Sequence, residues 1–176
     1  VCHPLFDKLQ YVAGDYTTYG GEKGEGFHRA YILQLSDWCN SEYANEKVRV
    51  LLRYLKKGTL IKDLVGSGVL VCDKNGKLLE NFEGGKGSAP EIFKVCTGNQ
   101  SDAFVRFSVL IPNDAAPALW EDKCVSDDYI QYYINNIEDR ELCYITGRMI
   151  PCSEKHPSKI RYSADKAKLI SSNDTS

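Results

Sequence analysis

The sequence has no long hydrophobic run, little net charge and no dense set of paired cysteines. None of its apolar stretches approaches the roughly 18 consecutive residues that a transmembrane helix needs, and no basic start followed by an apolar run indicates a secretory signal. The seven cysteines are odd in number and scattered along the chain, unlike the framework of a small secreted domain. These absences predict a water-soluble, cytoplasmic protein with no membrane partner.

A complete motif for phosphate binding is also missing. The glycine-rich residues 84–88 contain Lys86 and Ser88, but Gly87 separates them, so the Lys-Ser/Thr pair of a phosphate-binding loop is broken. The many carboxylates between residues 121 and 141 lack a metal-binding spacing. We interpret the loop as a plain connection and the carboxylates, Asp122 among them, as helix-start and surface charges.

Cys143, Cys152 and His156 form the nearest approach to a reactive site. They are close in sequence and could ligate zinc, yet no Cys-x-x-Cys pair helps to complete a four-ligand site. No motif pairs His156 with a nucleophile, because nearness in sequence is not the spatial arrangement that a cysteine–histidine pair needs. We therefore expect a protein that is not an enzyme and has no cofactor, with His156 in a structural role.

The overall composition is that of an ordinary globular protein. The chain has 176 residues, 43% of them hydrophobic and 26% charged, which is enough to bury one sizeable core. It begins at Val1 rather than at a methionine and ends in small polar residues. From this we expect residues 1–176 to be a single internal fragment of a larger multidomain protein.

Apolar spacing predicts two helices in the first third of the chain. In each, apolar residues recur at helical spacing on one face, and in the second they follow the i, i+3, i+4, i+7 rule. Asn45 can cap the start of the second helix, and Lys56 to Gly58 supply its basic, glycine-terminated end. The two stripes consist of Phe27, Tyr31, Leu35 and Trp38, and of Val48, Leu51, Leu52 and Leu55.

The remaining elements are predicted to be mainly extended. Residues 4–16 have a pattern nearer to strand than to helix, residues 69–79 are typical of a hairpin, and residues 103–111 indicate a largely buried strand. A helix capped by Ser126 and a short strand at 142–146 follow. The core face of that helix is predicted to consist of Ile130, Tyr133, Ile134 and Ile137.

This order of elements does not alternate as repeated parallel β-α units would. We therefore expect an α+β fold, with a mixed, mainly antiparallel sheet and several packed helices. Glycine-rich stretches at residues 20–26 and 83–90 predict flexible loops, because each glycine leaves the backbone much freedom to lose.

Positive charge is concentrated in the last part of the sequence. Between Arg148 and Lys168 lie six basic and two acidic residues, a local balance of +4, although the whole chain carries −2. Much of the compensating acid lies between Glu121 and Glu141. An ordinary solvated surface can show such clustering, but flexible, permanently charged side chains are also what phosphate contact needs.

The same region contains three linked motifs. Residues 143–147 form a Cys-x-x-Thr-Gly step, residues 156–161 contain His-Pro followed by Ile and a basic residue, and residues 169–174 contain Leu-x-Ser-x-Asn. Together they resemble the central signature of the large-subunit family of type I-C CRISPR Cascade complexes, the Csd-type CRISPR-associated proteins. Weaker similarity at residues 6–8 and 118–122 extends the resemblance over nearly the whole chain.

The resemblance implies a non-catalytic subunit of an RNA-guided antiviral complex, located near the 5′ handle of the guide. Such a subunit helps to recognise the short motif (PAM) that flanks a DNA target and to hold the opened duplex, while guide pairing reads the longer sequence. Its partners would be target DNA, the guide RNA through the complex, and the other Cascade subunits.

We predict DNA contacts at the basic and polar residues of this region. Lysine and arginine can contact phosphates and asparagine can add a hydrogen bond. The predicted DNA-contacting residues are Lys155, Lys159, Arg161, Lys166, Lys168 and Asn173. The residues that match the family motif, with a role in the fold or in nucleic-acid contact, are Cys143, Thr146, Gly147, His156 and Pro157.

Two other function classes remain open from the sequence. In the first, the basic segment meets an acidic surface of a neighbouring Cascade protein and the chain is a scaffold without DNA contact. In the second, His156 acts with Cys143 or Cys152 in a metalloprotein or hydrolase.

Overall fold

The computed structural model describes residues 3–22, 24–84, 88–96, 99–151, 159–162, 164 and 165. The chain divides into two compact units, Val1–Tyr132 and Tyr133–Ser176, which we call the first and second units. In the described ranges, no helix is both long and apolar enough to cross a membrane.

The secondary structure confirms the predicted α+β class. Helices dominate the first unit, and both small sheets are antiparallel pairs of strands. Along the described parts of the chain, the elements are β1 (Phe6–Lys8), α1 (Leu9–Val12), α2 (Gly24–Asn40), α3 (Glu46–Leu55), α4 (Leu60–Gly66), α5 (Glu91–Val95), β2 (Phe104–Arg106), α6 (Lys123–Asn135), β3 (Arg140–Leu142) and β4 (Met149–Pro151).

The predicted helix pair forms the centre of the first unit. Asn45 caps α3 as predicted, because its Oδ1 accepts a hydrogen bond from the backbone N–H of Lys47 at 3.0 Å. Both predicted stripes contribute to the core, although Phe27 at the start of α2 remains about one-third exposed. The fully buried side chains include Leu9, Val12, Tyr31, Leu35, Trp38, Val48, Ile61 and Val125.

Strands β1 and β2 pair with Phe6 opposite Arg106 and Lys8 opposite Phe104. The intervening Asp7 is buried on the other face of β1, where its carboxylate accepts hydrogen bonds from the backbone N–H groups of His3 and Lys8 at 2.7 and 2.8 Å. Each oxygen of this buried carboxylate accepts one hydrogen bond from the backbone, and these bonds anchor the strand. The prediction that residues 4–16 are extended is therefore right for β1 and wrong for α1.

A buried glutamine holds the predicted hairpin at residues 69–79. The hairpin exists as one bridge between Cys72 and Leu78 around a tight turn. The side-chain amide of Gln100, which is fully buried, donates to the carbonyls of Val71 and Leu79 at 2.6 and 2.7 Å and accepts from the N–H of Val71 at 3.1 Å. The amide thus satisfies the N–H of Val71 and the carbonyl of Leu79, and it shares the carbonyl of Val71 with the N–H of Leu79.

Two further element predictions in the first unit need correction. Helix α2 begins at Gly24, inside the stretch 20–26 that was predicted to be a loop. Only residues 104–106 of the predicted strand 103–111 are strand, and Phe104 is 57% exposed rather than buried. Helices α4 and α5 were not predicted.

Helix α6 differs from its prediction in start and in orientation. It begins at Lys123, and Asp122, not Ser126, is at its start, where the Asp122 carboxylate accepts from the N–H of Cys124 at 2.9 Å. Its buried residues are Val125 and Tyr132. Tyr133, which was assigned to the core face, is 56% exposed, so the predicted face was wrong.

The second unit is built on a hairpin of β3 and β4. Arg140 pairs with Pro151 and Leu142 with Met149, and residues 143–148 make the connection. The predicted strand at 142–146 is therefore misplaced. Only Leu142 of that segment belongs to a strand, β3, and the residues after it form the turn.

Candidate nucleic-acid interface

Only part of the predicted DNA-contacting segment lies in the described ranges. Lys159 and Arg161 are described, as are Cys143, Thr146 and Gly147 of the family motif. The other predicted site residues lie outside the described residues, namely Lys155, His156, Pro157, Lys166, Lys168 and Asn173.

The two described cations have different surroundings. Lys159 is exposed and has a positive φ of 61°. Arg161 forms a two-point ion pair with Asp165, with Nε to Oδ2 at 2.9 Å and Nη2 to Oδ1 at 3.3 Å. The Asp165 side chain is only 6% exposed, whereas that of Arg161 is 70% exposed. Arg161 therefore neutralises a buried carboxylate, a role that the sequence analysis missed, while one edge of its guanidinium remains toward solvent.

Residues 143–148 form the tight connection between β3 and β4. The N–H of Gly147 donates to the carbonyl of Cys143 at 2.7 Å, and the N–H of Cys143 donates to the carbonyl of Arg148 at 2.9 Å. Gly147 has a φ of 67°, a left-handed value that a residue with a Cβ adopts only at a cost. The Cys-x-x-Thr-Gly step is thus the sequence of a hairpin turn.

The thiol of Cys143 lies inside this turn. The Thr146 hydroxyl donates to it, and the backbone N–H groups of Thr146 and Ile145 also donate to it. Because these donors favour the thiolate, they lower the pKa of the Cys143 thiol below its ordinary value. By contrast, burial raises the pKa of Cys39 in α2.

We predict that Thr146→Val will raise the pKa of Cys143, because the hydroxyl is the strongest of its donors. The pH profile of Cys143 alkylation by iodoacetamide, followed by peptide mass spectrometry, should move to higher pH. Thr18→Val, at an exposed position of the first unit, is the control and should leave the profile unchanged. An identical profile in wild type and Thr146→Val would contradict the proposed hydrogen bond.

The metal alternative has one member in the described ranges. Within them, no group of three or more histidine, cysteine, aspartate or glutamate side chains is placed to hold a metal ion. Cys143 is described, but its two suggested co-ligands, Cys152 and His156, lie outside the described residues. The metalloprotein reading therefore stays a prediction.

An open cleft of about 550 Å³ is present in the first unit. Its described lining includes Tyr16, Tyr19, Lys77 and Asn99, and neither a histidine nor a cysteine is among the described lining residues. The lining offers aromatic rings together with hydrogen-bonding and charged groups.

The exposed face of the β1–β2 pair combines aromatic rings with cations. Arg106 Cζ lies 6.0 Å from the ring centroid of Phe6 and 5.4 Å from that of Trp120. The rings of Phe6 and Phe104 lie 6.4 Å apart at an interplanar angle of 56°. We call Phe6, Lys8, Phe104, Arg106 and Trp120 the aromatic–basic face.

The sequence analysis missed this face because it assigned residues 103–111 to a buried strand. The available signal was the alternation of Phe104 and Arg106 around Val105, since alternate residues of a strand point to opposite sides of a sheet. Because Arg106 lies on the same side of the strand as Phe104, its charge indicates that this side of the strand faces solvent.

Comparison with known protein families gives one match. A family model described as CRISPR-associated protein (Cas_Csd1) matches residues 1–176. Searches of curated proteins and of solved structures found no match.

Proposed function

The chain belongs to the Cas_Csd1 family of CRISPR-associated proteins, and from this membership we infer that it is a non-catalytic part of the large subunit of a type I-C Cascade surveillance complex. We propose that it contributes to recognition of the motif that flanks a DNA target and to binding of the target duplex, in the cytoplasm and in antiviral defence. Its partners in this role are target DNA, the guide RNA through the complex, and other Cascade subunits.

The observation that carries the DNA-binding part of the proposal is the local charge of residues 148–168, the basic segment within the second unit. Residues 148–168 carry a balance of +4 in a chain of net charge −2. The ion pair between Arg161 and Asp165 removes one charge of each sign, so the surplus is unchanged by it. A surplus of cations on one segment supplies the sequence-independent attraction to phosphates on which duplex binding depends.

We predict that replacing Lys159, Arg161 and Lys168 together with alanine will weaken duplex binding and flatten its salt dependence. Each lost phosphate contact lowers the slope of log K against log salt by about 0.9, so the triple variant should lose roughly 2–3 from that slope. The measurement is fluorescence anisotropy of a labelled DNA duplex at several salt concentrations, with the chain in the assembled complex.

The matched control removes the same charge elsewhere. Lys56, Lys62 and Lys74 are exposed lysines of the first unit, and their joint replacement with alanine changes the net charge equally. If both triple variants lose the same affinity and slope, the effect is one of net charge and the assignment to the basic segment is wrong. Lys159→Ala alone tests the segment without disturbing Asp165.

The scaffold role is a second candidate, favoured by a different observation. Tyr144 and Ile145 at the tip of the β3–β4 hairpin are 96% and 95% exposed, and Met149 is 57% exposed. Apolar side chains grouped on one short hairpin are typical of a surface that meets another protein. If the hairpin variants Tyr144→Ser and Ile145→Ser prevent complex assembly while the charge variants leave DNA binding unchanged, the scaffold role replaces the DNA-binding role.

A further inference from the structure

We propose that the aromatic–basic face of the first unit binds an unpaired nucleobase of a single-stranded nucleic acid, with the base stacked on Trp120 or Phe104 and a neighbouring phosphate held by Arg106. This proposal rests on the proposed function for one point only, which is that the ligand is a nucleic acid. It concerns a different unit and a different mode of contact from the basic segment of the second unit.

The rings on this face are available to a ligand. Phe104 is 57% exposed and Trp120 is 43% exposed, although large aromatic side chains are usually among the most buried in a protein. Base–aromatic stacking tolerates any base, because every base has a π-face. Two exposed rings next to a cation are therefore suited to holding a strand without reading its sequence.

Arg106 is positioned by the rings rather than by a carboxylate. It lies within 6.0 Å of the Phe6 and Trp120 ring centroids, and no described carboxylate forms an ion pair with it. The two carboxylates near the face have other partners, since Asp102 pairs with Lys8 at 2.8 Å and Glu121 accepts from the Trp120 indole N–H at 3.1 Å. The guanidinium thus keeps donors for a phosphate.

The face is built on a fixed backbone. Phe104 and Arg106 are held by the β1–β2 register, with Arg106 opposite Phe6. An antiparallel β-bridge pairs Ser108, just after β2, with Ala118, and this pairing brings Trp120, two residues later, close to the strand. A rigid platform loses little conformational entropy when it binds, which favours it as a ligand surface.

A nucleic acid fits this face better than a protein does. Protein interfaces are also rich in aromatic residues and arginine, but a protein partner would have to bring its own carboxylate to a guanidinium that no described carboxylate pairs with. A strand of nucleotides supplies both a π-face and an anion at each step, so it complements the ring and the cation together.

The experiment compares strands with and without bases. Labelled oligothymidylate of about 12 nucleotides, within the usual site size of one module, is titrated with the full chain, beside an abasic strand of the same length and an oligouridylate. We expect the abasic strand to bind about tenfold more weakly than oligothymidylate, because it keeps the phosphates and loses the stacking. The oligouridylate arm tells whether DNA or RNA is the better ligand.

Ring-removing substitutions locate the contact. Phe104→Leu and Trp120→Leu keep an apolar side chain and should each weaken oligothymidylate binding by about tenfold, with little effect on the abasic strand. Phe27→Leu removes a ring from α2, outside the face, and is the matched control. Phe104→Tyr should restore binding, because it restores the ring.

A spectroscopic readout keeps the proposal testable if a variant fails to fold. The chain has two tryptophans, Trp38, which is 1% exposed, and Trp120, which is 43% exposed. Oligothymidylate should quench the emission of Trp120, and Trp120→Phe should abolish the quenching while keeping affinity within about threefold.

Three results would overturn the proposal. They are equal binding of abasic and base-containing strands, unchanged binding by Phe104→Leu and Trp120→Leu, and no binding of oligothymidylate or oligouridylate by the wild type. If duplex binding still depends on the basic segment in those cases, this proposal fails and the proposed function stands. If base-dependent binding is seen but the charge variants have no effect on duplex binding, this proposal stands and the duplex-binding role of the basic segment fails.

Discussion

Trp38→Ala is expected to lower the free energy of unfolding of the first unit by about 3–5 kcal/mol. Trp38 is 1% exposed and is the largest fully buried side chain. Its indole N–H donates to the carbonyl of Tyr43 at 2.9 Å, and its ring meets that of Tyr129 edge to face at 5.1 Å. The substitution leaves a cavity between α2 and α6 and also leaves a carbonyl without its donor, so both losses act in the same direction.

Urea unfolding followed by circular dichroism measures this change. Trp120→Ala is the matched control, since the same side chain is removed from an exposed position, and it should cost less than about 1 kcal/mol. The comparison also shows that Trp120 variants keep the fold, which the strand-binding experiments require. Equal losses for Trp38→Ala and Trp120→Ala would contradict the packing described for α2 and α6.

Helix α3 could be predicted because local and long-range signals agree there. Asn45 favours the start, Gly58 with a φ of 63° favours the end, and the residues Val48, Leu51 and Leu55 between them fall on a single apolar face. The apolar face that the sequence predicts for α3 is also the face that packs in the core. Because α3 has only this one apolar face, the helix has no alternative orientation. The prediction therefore succeeded in bounds, cap and buried residues.

Helix α6 has two apolar faces, and the sequence does not rank them. Ile130 and Tyr133 are apolar enough to form a core face, but they are 45% and 56% exposed. The face that packs has Val125 and Tyr132, and the Tyr132 hydroxyl donates to Asp37 of α2 at 2.6 Å. Because that acceptor is 95 residues away in sequence, only the tertiary structure decides between the faces.

For a similar reason, the sequence indicated the Cys-x-x-Thr-Gly segment as a candidate site but did not indicate the aromatic–basic face. The Cys-x-x-Thr-Gly step is local, and its turn is built by contacts among residues 143–148 alone. The aromatic–basic face joins β1, β2 and Trp120 across more than 100 residues, and no local pattern links Phe6 with Trp120. Family resemblance indicated nucleic acid as a ligand, but it did not indicate which side chains are grouped on one surface.

Asp122 was predicted among the helix-start and surface charges, and it does lie at the start of α6, but it is buried. Asp122 is 8% exposed, and its carboxylate forms an ion pair with the ammonium of Lys47. Lys47 also lies 2.5 Å from Asp114 Oδ2, off the direction of a well-formed hydrogen bond, and donates to the carbonyl of Ala116 at 2.6 Å. This cluster ties α3 to the segment that leads into α6.

Lys47→Ala is expected to destabilise the first unit by about 3 kcal/mol, because it leaves the buried Asp122 carboxylate without its cation. Arg49→Ala is the matched control on α3. Arg49 is half exposed and lies 3.9 Å from Glu46, so its loss should cost no more than about 0.5 kcal/mol. Lys47→Met combined with Asp122→Asn and Asp114→Asn should recover much of the loss, since neither carboxylate is then left without its cation and asparagine can still cap α6.

The pH dependence separates loss of the ion pair from loss of packing. The ammonium of Lys47 holds the pKa values of Asp122 and Asp114 below their ordinary 3.8, and these two carboxylates raise the pKa of Lys47 above 10.5. The stabilisation of the wild type should therefore be complete between about pH 4 and about pH 10, and should be lost as the pH falls through the lowered carboxyl pKa values or rises through that of Lys47. In Lys47→Ala the carboxylates have lost their cation, so the variant should lose less stability than the wild type when the pH falls below about 4. Parallel pH profiles for the two proteins in urea unfolding would show that the cost comes from packing and not from the ion pair.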